Sequence, residues 1–281
     1  MIAVVVPTIR PEQLEIFKKA WAEQFEKYNV TLYVVFDGAN PYVEVNNAKY
    51  SLEDIMGSYK DLIYNFNDGV RNLGFAKAYM DNADIIISLD DDVLPAGDTL
   101  GDHIRALDAS YETSWVNTSN EVYMRGFPYN IRDEAECVLS HGVWQGVADY
   151  DASTQLVLGI KPLTYRKMPV PRGVLFPMCI MNVAFKRQMT PYMYQAPMFD
   201  DVNRFADIWG GIEAKKDIDL HGWCAITGYA TVQHNRASNA FANLVKEARG
   251  VGMNEKYGEG KYFEIFKDKR NKWIEFIRSI K

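Results

Sequence analysis

The chain has 281 residues, 48% of them hydrophobic and 24% charged, which suits one sizeable α/β core and excludes a disordered or fibrous chain. A net charge of −6 argues against a broad nucleic-acid footprint, and no apolar run approaches membrane-spanning length. Cys137, Cys179 and Cys224 are widely spaced with no CxxC, so they read as reduced core residues of a cytoplasmic protein without a leader segment.

Ile2 to Val6 is a first buried strand, stopping at Pro7-Thr8-Ile9-Arg10. Pro11 suits the first turn of a helix along which Leu14, Phe17, Trp21, Phe25 and Tyr28 recur at helical spacing. Val30 to Phe36 is a second strand ending at Asp37-Gly38. Residues 40–59 read as a loop with a short helix, where Ser51 and Asp54 form an approximate capping box. A third strand is expected over Asp61 to Phe66, then a helix from near Asn72. Ile85 to Leu89 is a strand buried on both faces, and it runs straight into Asp90-Asp91-Asp92. Strands alternating with helices predict an α/β fold: a doubly wound, mostly parallel central sheet flanked by helices.

Three adjacent carboxylates at a strand end repel one another, and a divalent cation relieves that cost. Hard oxygen donors favour Mg²⁺ or Mn²⁺. In such a sheet ligands bind at the carboxyl ends of the strands, so Thr8, Arg10, Asp37 and the acid triple converge on one edge. That set suits a nucleotide diphosphate with its metal. Arg71, at a helix start, is a further anion contact. No GxGxxG or GKS/T is present, which excludes dinucleotide oxidoreductase and P-loop readings.

Further along, Trp115 to Ser119 reads as another strand, followed by Arg125-Gly126-Phe127-Pro128-Tyr129 and Arg132. Chemistry alone makes Arg125 a pyrophosphate clamp, since a protonated guanidinium is a poor nucleophile. His141 and Trp144 read as a sugar platform or as core, and Asn182 as a reach to a sugar hydroxyl within an apolar run. Asp207-Ile208-Trp209-Gly210-Gly211 offers an acid and an aromatic beside two glycines that permit close ligand approach. His234 follows the strand-like Ala225 to Val232, and a basic amphipathic helix is expected from Phe266 to Lys281.

The order of these motifs resembles a GT-A-fold glycosyltransferase and, more narrowly, the reversibly glycosylated polypeptide family, which includes plant UDP-arabinopyranose mutases. Carrying the likeness are the acid triple, Arg125 to Tyr129 with Arg132, and Ser140-His141-Gly142-Val143-Trp144 leading to Asp149-Tyr150-Asp151. Leu175-Phe176-Pro177-Met178-Cys179, the Asp207 segment and His234-Asn235-Arg236-Ala237-Ser238-Asn239 complete the set.

The resemblance implies a GT-A-like domain over 1–245 with a C-terminal helical extension over 246–281. It implies a UDP-sugar held at the strand ends with Mn²⁺ or Mg²⁺, and metal ligands Asp90, Asp92 and His234. The implied reaction interconverts the pyranose and furanose forms of UDP-L-arabinose through a reversibly glycosylated Arg125, with Arg132 also required. Asp207 is the candidate base, with Asp149 or Asp151 in reserve. Two alternatives stay open: a glycosyltransferase serving an external glycan, protein or modified nucleic-acid base, and a non-catalytic UDP-sugar-binding subunit. Homo- or hetero-oligomeric assembly is equally open.

Overall fold

The computed structural model describes residues 1–119, 121–132, 134–235 and 239–280. Its first half runs β1 (Ile2–Thr8), α1 (Pro11–Lys27), β2 (Val30–Phe36), β3 (Tyr42–Val45), β4 (Ala48–Ser51), α2 (Leu52–Met56), α3 (Arg71–Met80), β5 (Ile85–Leu89), β6 (Val93–Pro95), α4 (Thr99–Asp108) and β7 (Ser110–Tyr111). The second half adds β8 (Ala135–Gly146), α5 (Ala152–Leu158), β9 (Met168–Pro169), β10 (Asn182–Lys186), α6 (Ala206–Leu220), β11 (Cys224–His234), α7 (Ala240–Asn254) and α8 (Lys261–Ser279). One sheet orders these strands β4-β3-β2-β1-β5-β10-β8-β11-β6, with β9 on β11 and β7 on β8.

The expected α/β sheet flanked by helices is present. Parallel pairing is confined to β2-β1-β5 and β8-β11, while β10 runs antiparallel to both its neighbours. Strand alternation splits the core in two. Ala3 and Val5 join one apolar layer with α3, α6 and α8, and Val4 and Val6 join another with Leu14, Phe17 and Trp21 of α1. Both layers are needed because β1 has no solvent-facing side. Gly74 lets α3 lie close on the sheet, since a Cβ there would meet Val5 Cγ1 at 2.5 Å and Val35 Cγ2 at 2.7 Å. Trp273 of α8 is buried and donates its Nε1–H to Thr190 O at 3.1 Å, so the C-terminal helix shares this core.

Three local expectations change. Residues 61–66 form no strand: Asp61 and Leu62 end a 3₁₀ turn over Gly57–Leu62, and Phe66 N and Asn65 Nδ2 instead donate to Asp37 Oδ1 and Gly38 O. Residues 115–119 form no strand either, because Asn117 Nδ2 donates to Ser119 O and Val122 O and closes a local turn. Within the expected loop at 40–59, β3 and β4 form a hairpin over Asn46 and Asn47, both at positive φ (51° and 63°), the geometry two-residue hairpin turns require. The Ser51–Asp54 capping box is present in full. No helix among the described residues is long and apolar enough to cross a membrane.

Candidate active site

Two cavities meet at the carboxyl ends of β1 and β5. A strand-end cleft of about 340 Å³ is lined by Thr8, Arg10, Asp37, Asp68, Arg71, Asp90 and Asp91 among others. Beside it an acidic cavity of about 370 Å³ is lined by Asp68, Arg71, Asp90, Asp149, Asp151, Cys179, Arg204, Asp207 and Glu247. Asp68, Arg71 and Asp90 line both, which makes the two one continuous groove.

The acid triple divides its work. Asp91 is buried, and its carboxylate accepts from Thr8 Oγ1 at 2.6 Å and from Arg10, while Gln13 Nε2 donates to its carbonyl. Asp91, Thr8 and Arg10, expected on the nucleotide, thus spend their principal bonds on one another and tie the β5 loop to the β1 loop. Arg10 Nη2 also donates to Asp92 Oδ2 at 3.1 Å, so its guanidinium is committed to carboxylates rather than left open for phosphate. Arg71, only 2% exposed, donates to Ser88 Oγ, Leu89 O and Asp90 Oδ1. Its Nε has no hydrogen-bond partner among the described residues. Asp37 is half-buried, which raises its carboxyl, while the Gly38 and Phe66 amides pull the other way.

The last expected ligand arrives by sheet pairing. β11 runs antiparallel to β6 and sets His234 opposite Val93, the residue after the triple. His234 Nδ1 lies 2.9 Å from Val147 O, which can only accept, so Nδ1 carries the proton and Nε2 keeps its lone pair. Two carboxylates and an imidazole nitrogen are a donor set that fits Mn²⁺ or Mg²⁺. Among the described residues no three His, Cys, Asp or Glu side chains converge on one point as a metal group. A cation here would therefore draw part of its shell from ligand oxygens, as Mg²⁺ at phosphate sites does.

Asp207 sits in the first turn of α6, and its oxygens accept from Ile180 N at 3.2 Å and Ile208 N at 3.0 Å. Burial pushes its carboxyl well above the usual carboxylate range. Asp68 and Asp149 add to that, while the Ile180 amide and Arg71 oppose it. A carboxyl so placed favours its protonated form more than an exposed one does, which suits a group that takes and returns a proton. Across the cavity Arg204 Nε donates to Glu247 Oε1 at 2.8 Å, and Ala152 N donates to the other oxygen. Asp68, Arg204 and Glu247 carried no signal in the sequence, because a 43-residue separation brings the latter two together only in the fold. Asp151, a reserve base, instead caps α5 through Thr154 N.

Several expected contacts are structural. Trp209 is fully buried and donates its Nε1–H to Asn254 Oδ1 at 2.9 Å, among Phe205, Tyr262 and Phe263. Its two glycine neighbours serve packing rather than a ligand: a Cβ at Gly210 would meet Tyr194 O, and one at Gly211 would meet Met178, both at 2.7 Å. Asn182 is fully buried, donates to Val143 O and Ala230 O, and accepts from His103 Nε2 at 2.9 Å. It can reach no sugar. His141 bonds Thr227 Oγ1 and packs edge-on against Trp144 and Phe176. Trp144 lines a separate cavity with Tyr165 and Leu163. Arg236, Ala237 and Ser238 of the last motif lie outside the described residues.

The largest departure concerns Arg125, which is exposed and lines neither cavity of the groove. Its loop is hinged where Ser110 and Tyr111 pair with Glu136 and Ala135, the end of β8 remote from His141 and Gly146. Arg132 stacks on Tyr129 and Tyr123 at 3.8 and 4.6 Å, and its Nη2 donates to Phe127 O, so it braces the turn that presents Arg125. Sequence motif and groove are thus both present, but in one chain they do not touch.

A UDP-arabinopyranose mutase 3 from Arabidopsis thaliana is 34% identical over 90% of this chain and 75% of its own length. A probable UDP-arabinopyranose mutase 1 from Pisum sativum is 33% identical over 90% and 74%. A solved structure described as A197 from STIV aligns over 85% of this chain and 86% of its own at 9% identity, with a TM-score of 0.38, too slight a likeness to argue from. The model of the reversibly glycosylated polypeptide family matches residues 1–267, and the chain belongs to that family.

Proposed function

We propose that the chain is a UDP-arabinopyranose mutase, interconverting the pyranose and furanose forms of UDP-L-arabinose. The observation that carries this reading is the continuous groove in which a strand-end cleft opens, through Asp68, Arg71 and Asp90, into an acidic cavity holding Asp207. The cleft beside Asp37 suits uridine and ribose, Arg71 at the junction suits the diphosphate, and the acidic cavity suits the sugar hydroxyls. The fold is read as GT-A-like and the Asp90–Asp92 triple as its DxD motif. Asp90, Asp92 and His234 would hold Mn²⁺ or Mg²⁺. Bound there, the cation would neutralise charge on the departing diphosphate.

In the reaction the anomeric carbon–phosphate oxygen bond breaks and its electron pair leaves with UDP. A guanidinium nitrogen of Arg125 bonds to that carbon as Asp207, ionised for this step, takes the nitrogen's proton. The nitrogen lone pair then expels the ring oxygen from the anomeric carbon as that oxygen takes the proton held by Asp207, and a different sugar hydroxyl closes on the carbon while its proton passes to Asp207. UDP oxygen reattacks, the carbon–nitrogen bond breaks, and the proton returns from Asp207. Burial favours the protonated carboxyl, which suits a group that must keep the proton between steps and then return it. Three buried free cysteines suit a reducing compartment, and we place the enzyme in the cytoplasm. Nuclear magnetic resonance of UDP-arabinopyranose incubated with the chain and Mn²⁺ tests the reading. Furanose signals are expected, and an unchanged spectrum with no sugar on Arg125 sinks it.

A further inference from the structure

We propose that Arg125 is delivered into the groove of a second copy of this chain, so that each working site is built from the cavity of one protomer and the arginine loop of its partner. This rests on the covalent reading above and goes beyond it by naming where the nucleophile comes from. Distances along the fold separate loop and cavity within one chain. Asp207 and Asp219 stand twelve residues apart on α6, about 18 Å along a helix axis. Asp219 Oδ2 accepts from Gly173 N, and the adjoining Arg172 N donates to Thr113 O at the start of the loop. The loop is therefore fastened at the end of α6 remote from Asp207. Its interior residue Phe127 lines a third cavity with Met168, Pro169 and Tyr229. β9 pairs with Ile226 and Thr227 of β11, whereas β6, which follows the acid triple, pairs with Val232 to His234, a separation of roughly 20 Å along β11.

What the loop presents outward is fit for a partner. Trp115, Val116, Val122, Met124 and Tyr129 are all exposed, Val116 at 70% and Tyr129 at 85%, around the turn that carries Arg125. Large apolar groups crowded on one exposed loop call for a covering surface. The groove supplies matching acceptors: Asp90, Asp151 and Glu247, with Asp68, Asp149 and Asp207 held toward the protonated form by burial, line the acidic cavity beside Arg71 and Arg204. An entering guanidinium is attracted there, and a two-fold dimer would exchange both loops at once.

Complementation separates the possibilities. Full-length Asp207→Asn and Arg125→Ala chains, distinguished by tags of different size, are co-expressed and incubated with radiolabelled UDP-arabinose and Mn²⁺. Neither variant alone is expected to take label. Together, label is expected on the Asp207→Asn chain, whose own cavity is dead, at about a quarter of the wild-type level if dimers assemble at random. A co-expressed mixture that stays unlabelled while the wild type labels overturns the exchange, and so does a monomeric wild type that labels at low concentration. Wild type that takes no label at all fails the covalent reading first, and the exchange with it.

Discussion

Lowering the pH should loosen the sheet that carries the groove, through one buried imidazole. His103 of α4 is fully buried and joins β8 to β10: its Nε2–H donates to Asn182 Oδ1, and Ser140 Oγ donates to Nδ1, both at 2.9 Å. Asn182 donates to Val143 O and Ala230 O, which fixes its oxygen toward the histidine and hence the tautomer. Burial pushes His103 from the usual 6.5 down to about 4. The folded value is the lower one, so its stabilisation is complete above the unfolded value and is lost as pH falls through the window from 6.5 to 4. At 1.36 kcal/mol per unit the ceiling is about 3.4 kcal/mol, of which about 2 kcal/mol is gone by pH 5. Equilibrium urea unfolding of wild type and His103→Gln at pH 7 and pH 5 measures it. The variant should be about 1–2 kcal/mol less stable at pH 7, from the disturbed network, yet lose about 2 kcal/mol less than wild type on acidification. The carboxylates titrate alike in both proteins, so only the difference reports His103. Parallel losses in the two proteins would refute the reasoning.

Other outcomes follow from the site and its supports. Asp207→Asn should lower kcat by roughly 10²- to 10⁴-fold while UDP binding measured by calorimetry stays put; an equal loss of affinity would make it a ligand contact rather than a proton carrier. His234→Ala should weaken Mn²⁺ binding, read by electron paramagnetic resonance in the presence of UDP, and unchanged binding removes it from the donor set. Trp209→Ala should cost about 3–5 kcal/mol in chemical unfolding with KM unchanged below the melting transition, because the ring fills core rather than stacking on sugar. A rise in KM alone would restore the platform role. At Gly142 a Cβ would lie 2.0 Å from Asn182 Nδ2, so Gly142→Ala should destabilise by about 1–3 kcal/mol; a neutral variant would mean the Asn182 network yields freely.

Residues dense in local signal announced themselves. Ile85 to Leu89 running into Asp90-Asp91-Asp92, the apolar spacing of α1 and the Ser51–Asp54 cap all follow from contacts between near neighbours, which a linear reading captures. So did the convergence of the β1, β2 and β5 ends, since parallel strands put their carboxyl ends on one edge. Asp207 was legible as a candidate base beside a tryptophan, but the surroundings that shift its carboxyl were not. Its carboxyl is raised first by burial that no motif encodes, and then by Asp68 and Asp149, which are remote in sequence. The 61–66 segment misled because β-rich composition is overridden when Asp37 offers its backbone a better partner.

By itself the chain's sequence determined the family, the sheet's central strands and the acids at their ends, because short-range pattern and ordered motifs carry that information. Only the tertiary structure decided what those residues do. It spent Arg10 and Thr8 on Asp91, buried Asn182 and Trp209 as supports, and brought His234 opposite Val93 across 141 residues of chain. It also hung Arg125 at the far end of β8 from the groove. The physical reason is common to all of these: a side chain's partner is set by strand register and helix direction, and neither is written at the residue itself.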